Sequence, residues 1–154
     1  KQLLITIAAV VLVGCGPSIH EAAWTGNIEL IKQLIDSDID VNVKRNRGET
    51  PLHIAARFSH YEVAKLLISN GADVNVRNDS GLTPLHEAAY SFSSGGQKII
   101  TIELLFLKGA DVNAESNSGG TPLDVANTWG HRPAADLLRK HGGKTGEELE
   151  AAGN

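Results

Sequence analysis

The sequence predicts an all-α solenoid in which four helix-turn-helix units stack side by side and are joined by β-turn fingers. Three observations predict it. Short motifs recur at a nearly fixed interval, each copy holds two segments with apolar residues at helical spacing, and a glycine-containing stretch separates successive copies. With 154 residues, of which 42% are hydrophobic, the chain is long enough to bury a sizeable core.

Two tripeptides, TPL and DVN, reveal the interval. Successive copies of each are 33 and then 38 residues apart, so the third copy carries an insertion of five residues. A period in this range is typical of repeats that cannot bury their apolar faces alone and must stack. The chain divides into units of about 17–49, 50–82, 83–120 and 121–150. The TPL copies begin at Thr50, Thr83 and Thr121, and the DVN copies begin at Asp40, Asp73 and Asp111.

A short apolar segment precedes the first unit. It runs from Leu3 to Val13 behind Lys1 and is too short to span a bilayer as a helix, but it fits a secretory signal peptide. The residues Leu12–Cys15 resemble the lipobox of bacterial lipoproteins. This resemblance implies a signal peptide over 1–14 and a lipid on Cys15, the only cysteine in the chain. The alternative interpretation makes Cys15 a small buried residue that ends an N-terminal helix.

Within a unit, each element has a local cause. Thr50 and Pro51 predict a helix start, because threonine caps free backbone N–H groups and proline suits the first helical position. A second helix follows, with apolar residues at helical spacing, and Gly71 ends it by adopting a left-handed conformation. The residues from Asp73 to Gly81 then form an extended finger with a tight turn.

Residues 50–81 read TPLHIAARFSHYEVAKLLISNGADVNVRNDSG and closely resemble the ankyrin repeat. The third unit repeats TPLHEAA and LLFLKGADVN, and the fourth repeats TPLDVA. The resemblance implies an ankyrin-repeat domain over 19–150, behind a lipid anchor and short tether at 15–18 and before a C-terminal tail at 151–154. It covers nearly everything after Pro17.

The units differ from one another at three places. The first has Ser18 where the others have proline, and the last has Asp124 where the others have histidine, as is typical of capping units. The five additional residues of the third unit lie in 91–97, where serines and glycines predict a flexible loop between its two helices.

The sequence holds no recognisable catalytic constellation. There is no G-x-S-x-G motif, no phosphate-binding loop and no H-E-x-x-H motif, so we expect neither an enzyme nor a cofactor. His20, His53 and His86 recur once per unit, and their spacing holds them too far apart to share a metal ion. The ankyrin resemblance implies that these imidazoles bond to neighbouring backbone. A net charge of −4 and a pI near 5.8 argue against nucleic acid as a partner.

The resemblance implies a protein partner that docks on the concave side, formed by the finger tips and by exposed positions of the first helices. Aromatic residues and arginine, which dominate binding hot spots, recur at these exposed positions of the first helices. The alternatives are that Trp24 and Trp129 only cover the ends of the core, and that the basic tip at 44–47 is a solvated turn. That tip would also suit an acidic partner or lipid head groups. The predicted partner-binding residues are Trp24, Lys44, Asn46, Arg47, Glu49, Arg57, Phe58, Arg77, Asp79, Leu82, Tyr90, Glu115, Asn117 and Trp129.

The expected function is therefore non-catalytic protein binding by a monomer that is lipid-anchored in the bacterial cell envelope. It would face the periplasm, with the outer membrane favoured because Gly16 and not aspartate follows the cysteine. The alternative is an accessory or inhibitory subunit that stabilises or regulates a periplasmic enzyme.

Overall fold

The computed structural model describes residues 17–91 and 96–153, and within these ranges it contains nine α-helices and no β-strand. A single turn of 3-10 helix, Asn46–Gly48, lies in the first finger. The predicted helical solenoid is confirmed. The helices are α1 (Ile19–Thr25), α2 (Ile28–Asp36), α3 (Pro51–Arg57), α4 (Tyr61–Ser69), α5 (Pro84–Tyr90), α6 (Gly96–Leu107), α7 (Pro122–Thr128), α8 (Arg132–Lys140) and α9 (Gly146–Gly153).

The helices form two layers. The first helices of the four units pack in the order α1, α3, α5 and α7, and the second helices pack in the order α2, α4, α6 and α8. Each first helix also packs on the second helix of its own unit. Every unit thus contacts its neighbours in both layers, as expected for a stack whose stability depends on nearest-neighbour interfaces.

The first helices begin where the sequence predicts. Thr50 and His53 form a capping box at the start of α3, with Pro51 at the first helical position, and the other two TPL motifs begin α5 and α7 in the same way. The first unit differs, because its helix begins at Ile19 and Ser18 caps it by accepting a hydrogen bond from the Glu21 amide at 3.1 Å. Serine at the position of the repeated proline therefore takes over the capping role.

Alanine and leucine fill the space between the layers. Leu52, Leu85 and Leu123 follow the three prolines and are fully buried, and each contributes about 2 kcal/mol by leaving water. Ala55 and Ala88 are also inaccessible, and their small side chains allow neighbouring first helices to approach closely. The core consists of two adjoining clusters, one mainly from units one and two and the other mainly from units three and four.

The insertion in the third unit differs in part from the predicted loop. Helix α6 begins at Gly96, whereas the position aligned with the start of α4 is Ile99. Gly96 and Gln97 are therefore helical, because the additional residues lengthen α6 at its N-terminal end, where Thr101 Oγ1 donates to the Gln97 carbonyl at 2.8 Å. The remaining insertion, 92–95, lies outside the described residues.

A last helix, which the sequence interpretation did not predict, follows the helix pair of the fourth unit. Helix α9 crosses the expected boundary between the fourth unit and the tail at 151–154. Asp124 holds its start, because Oδ2 accepts hydrogen bonds from the Gly146 amide at 2.8 Å and from the Thr121 amide at 2.9 Å. Gly146 is required there, since a Cβ atom would collide with the Gly119 carbonyl oxygen.

The predicted signal peptide and Cys15 lie outside the described residues. Among the residues that are described, no helix is both long enough and apolar enough to cross a bilayer.

Candidate partner-binding groove

One histidine in each of the first three units holds the finger that follows it. His53 Nε2 donates to the Leu82 carbonyl at 3.0 Å, and His86 Nε2 donates to the Gly120 carbonyl at 3.1 Å. His20 Nε2 lies 3.0 Å from the Val43 carbonyl and 3.2 Å from that of Glu49. These contacts fix the finger backbone relative to the first helices, as the resemblance implied.

His53 and His86 are held as the neutral tautomer that carries its hydrogen on Nε2. The amides of Thr50 and Thr83 donate to Nδ1 of His53 and His86 at 3.2 and 3.1 Å, so Nδ1 is unprotonated and Nε2 carries the hydrogen. Burial lowers the pKa of both imidazoles below its ordinary value, although their backbone hydrogen bonds act in the opposite direction. Both rings are accordingly structural and uncharged at neutral pH.

A second ladder, which the sequence interpretation missed, runs through the asparagines of the DVN motifs. Asn42 Nδ2 donates to the Gly71 carbonyl at 2.9 Å, and its Oδ1 accepts the Asp73 amide at 2.9 Å. Asn75 and Asn113 repeat this two-bond contact with the following unit. A primary amide has both a donor and an acceptor, which explains why asparagine and not aspartate recurs at this position.

A concave cavity lies between the fingers and the first helices, and we call this cavity the groove. It has a volume of about 520 Å³, within the range of small binding sites, and is formed mainly by α3, α5 and α7 and by the tips of two fingers. Its lining residues are Arg47, Glu49, Arg57, Leu82, His86, Glu87, Tyr90, Val125 and Trp129.

A network of charges forms one wall of the groove. Arg57 on α3 pairs with Glu87 on α5 at 2.7 Å and also with Glu49, and Arg45 pairs with Glu49 at 2.8 Å. Burial raises the pKa of Glu49, but the two arginines outweigh it and hold that pKa below its ordinary value. The hydrogen bonds that Arg57 donates to Glu87 raise the pKa of its guanidinium. The network ties the first finger to two helices.

This network changes the interpretation of two predicted residues. Glu49 was expected at an exposed finger tip but is only 7% exposed, because Arg45 and Arg57 surround its carboxylate. Arg57 was expected as the centre of an exposed surface, yet its side chain is 22% exposed and engaged in two ion pairs. Both line the groove, but their charges are already paired within the chain.

The aromatic residues predicted to line the partner-binding side of the first helices form two separate pairs. Trp24 and Phe58 meet edge to face with ring centroids 6.5 Å apart, and Tyr90 and Trp129 meet at 4.8 Å. Tyr90 and Trp129 line the groove, whereas Trp24 and Phe58 do not. The indoles of Trp24 and Trp129 remain 56% and 53% exposed, so a large part of each is accessible to a partner.

The other predicted residues lie on the fingers. Two of them contact the neighbouring finger: Lys44 Nζ donates to the Arg77 carbonyl at 3.1 Å, and Asn117 Nδ2 donates to the Asp79 carbonyl at 2.9 Å. Leu82 is half-buried in the groove. The exposed finger residues are Lys44, Asn46, Arg47, Arg77, Asp79, Glu115 and Asn117.

Within the described residues, no group of three or more histidine, cysteine or acidic side chains is placed to hold a metal ion.

A family model described as "Ankyrin repeats (3 copies)" matches residues 19–116. The match ends before the fourth unit, in which Asp124 replaces the repeated histidine. No curated protein matches the sequence closely enough to be named as a relative.

Proposed function

The chain belongs to the ankyrin-repeat family, and we propose that it is a non-catalytic module that binds a protein partner in the groove. Proteins built from these repeats are typically interaction modules. The observation that carries the proposal is Trp129, which remains 53% exposed while packing against Tyr90 inside a preformed cavity. An exposed indole beside a second aromatic ring is the usual composition of a binding hot spot.

The module is attached to a bacterial membrane by a lipid on Cys15 and is displayed outside the cytoplasm, facing the periplasm. The support for this attachment is the lipobox-like sequence Leu12–Cys15 behind a short apolar segment. Since α1 begins at Ile19, only residues 16–18 separate Cys15 from the first unit. A tether this short would keep the repeats close to the membrane surface.

The binding proposal is tested by affinity capture with the full chain from detergent-solubilised envelope. Trp129→Ala should lower recovery of a specific partner about tenfold, because truncating an exposed indole in the groove removes a hot spot. The control is Leu107→Ala, since Leu107 is 83% exposed at the end of a second helix, outside the groove. Equal recovery with wild type and Trp129→Ala would exclude the groove. A change in the activity of a captured enzyme would favour the accessory-subunit function.

The anchor is tested separately with Cys15→Ser and metabolic labelling with a fatty acid. We expect labelling to be lost and the precursor to remain uncleaved, because the serine hydroxyl does not replace the thiol in forming the thioether. Labelling that persists in Cys15→Ser would disprove the anchor without bearing on the groove.

A further inference from the structure

We propose that the groove selects a partner segment in which an apolar side chain lies next to a single carboxylate. The inference rests on the proposed function and specifies the chemistry of the partner. It is drawn from the charges left unpaired in the groove, from the apolar surface beside them and from the backbone conformation of Arg47.

Arg47 supplies a positive charge that none of the ion pairs of the groove uses. The guanidinium groups of Arg45, Arg47 and Arg57 face the carboxylates of Glu49 and Glu87, and the ion pairs there join Arg45 and Arg57 to those two carboxylates. Arg47 makes no ion pair with any residue that the structure describes, and its side chain is exposed at the mouth of the groove. An arginine in this position is suited to bind a carboxylate through two hydrogen bonds.

The other end of the groove is apolar. Tyr90 and Trp129 meet edge to face, and Leu82 and Val125, both half-buried, complete this surface. A cavity of about 520 Å³ has room for an apolar side chain and a short acidic one. Arg47 and the aromatic pair line the same cavity, so a segment with an apolar residue on the aromatic pair can direct a neighbouring acid towards Arg47.

Arg47 also has an unfavourable backbone. Its φ of 70° and ψ of 16° are left-handed, a conformation that costs a residue with a Cβ atom about 1 kcal/mol. The chain could avoid this cost with glycine, which already follows at position 48. A charged side chain retained at a strained position is more easily explained by binding than by folding, because folding would favour glycine.

The charges of the groove favour a carboxylate over a phosphate, and its shape favours a peptide over a membrane. The carboxylates of Glu49 and Glu87 line the same cavity and would repel a dianionic phosphate more strongly than a carboxylate. A flat lipid surface would meet the cations of the finger tip but could not enter the cavity that Arg47 and the aromatic pair both line. The carboxylate is therefore assigned to a peptide, from an acidic side chain or from a chain end.

The test uses fluorescence of the full chain. The chain has two tryptophans, so Trp24→Phe leaves Trp129 as the only indole and makes its emission a reporter of the groove. The probes are a capped hexapeptide GSLDGS, its amide counterpart GSLNGS, and GSL with a free carboxyl end. We expect GSLDGS to bind about fivefold more tightly than GSLNGS at low salt, with the difference shrinking as salt is added.

Arg47 variants in the same background separate charge from conformation. Arg47→Gly should abolish the preference for GSLDGS without lowering the urea midpoint, because glycine accepts the left-handed backbone. Arg47→Lys should retain part of the preference. Tighter binding of free GSL than of capped GSLDGS would assign the carboxylate to a chain end, which also supports the proposal.

Three results would overturn the inference. Equal affinity for GSLDGS and GSLNGS would show that the groove ignores charge. A preference for GSLDGS that survives Arg47→Gly would show that another residue recognises the carboxylate. A response to phosphatidylglycerol vesicles, but to none of the peptides, would identify a membrane surface instead. In each case, the proposed function would still be supported if capture of a partner depends on Trp129. It would be refuted if wild type and Trp129→Ala recover the partner equally.

Discussion

The first and second fingers have the same backbone pairing but reach it by different means. In the first finger the Arg45 amide donates to the Glu49 carbonyl at 2.9 Å, and in the second the Asn78 amide donates to the Leu82 carbonyl at 3.0 Å. Asn78 Oδ1 also accepts the Ser80 and Leu82 amides at 2.9 and 3.0 Å. The first finger lacks this side-chain support, since Arg45 pairs with Glu49 instead.

The difference separates local from tertiary stabilisation. The second finger is stabilised by its own turn residues, and only Gly81 has a positive φ there. The first finger has two residues with positive φ, Arg47 and Gly48, and depends on the charge network that joins Glu49 to Arg57. The finger with the weaker local turn is also the one that brings a free cation to the groove.

The largest effect should come from removing the centre of the network. Arg57→Met keeps the apolar stem but leaves the buried carboxylates of Glu49 and Glu87 without their shared cation. We expect the free energy of unfolding to fall by about 3 kcal/mol in urea titrations. Arg45→Met, which removes a cation whose side chain is 45% exposed, should cost less than about 1 kcal/mol. Equal losses in both variants would contradict the central role of Arg57.

Acid should weaken all three fingers through the histidines that hold them. Burial lowers the pKa values of His20, His53 and His86, so the unfolded chain binds protons more readily than the folded one. The stabilisation is fully present above the ordinary pKa of about 6.5 and is lost as the pH falls below it, by at most about 1.4 kcal/mol per pH unit for each histidine. Urea titrations from pH 8 to pH 5 measure this slope. A flat profile would mean that these imidazoles remain free to protonate in the fold.

The second finger should be sensitive to its own asparagine. Asn78→Ala removes the acceptor of two backbone amides and should lower the free energy of unfolding by about 1 kcal/mol. Asn78→Asp preserves the acceptor and serves as the control, with a loss of less than half that amount. If alanine and aspartate were equally tolerated, the side-chain support of this turn would carry no energy.

The smallest effect has the opposite sign. Arg47→Gly should raise the free energy of unfolding by about 0.5 kcal/mol, because relief of the left-handed strain exceeds the added chain entropy. Ser80→Gly, at the aligned position of the second finger, should be neutral or slightly destabilising, because Ser80 has no positive φ. Destabilisation by Arg47→Gly would show that the first finger needs this side chain to fold.

The sequence was sufficient to predict the features that recur from unit to unit, but not those that occur only once along the chain. Thr50 and Pro51 predicted the helix start because their roles are local, and the ankyrin resemblance implied the backbone contact of His53. The burial of Glu49 could not be read in this way. It depends on arginines four and eight residues away, one of which also pairs with Glu87 in the third unit.

Two omissions have different causes. The repeated asparagine of DVN was a visible signal, since a residue with both donor and acceptor recurs where successive units meet, and a hydrogen-bonding role could have been assigned to Asn42. The sequence of helix α9 gave little indication that this segment is helical. Its sequence is polar and acidic, and its position depends on Asp124, which looked like a simple departure from the repeat.

The asparagine ladder has a consequence for how the stack opens. Asn42, Asn75 and Asn113 each connect one unit to the next, so every interface has its own pair of hydrogen bonds and shares none with the others. Opening one interface breaks two of these bonds and leaves the remaining pairs intact. Cooperativity is therefore confined to neighbours, and the end units can fray while the middle of the array stays closed.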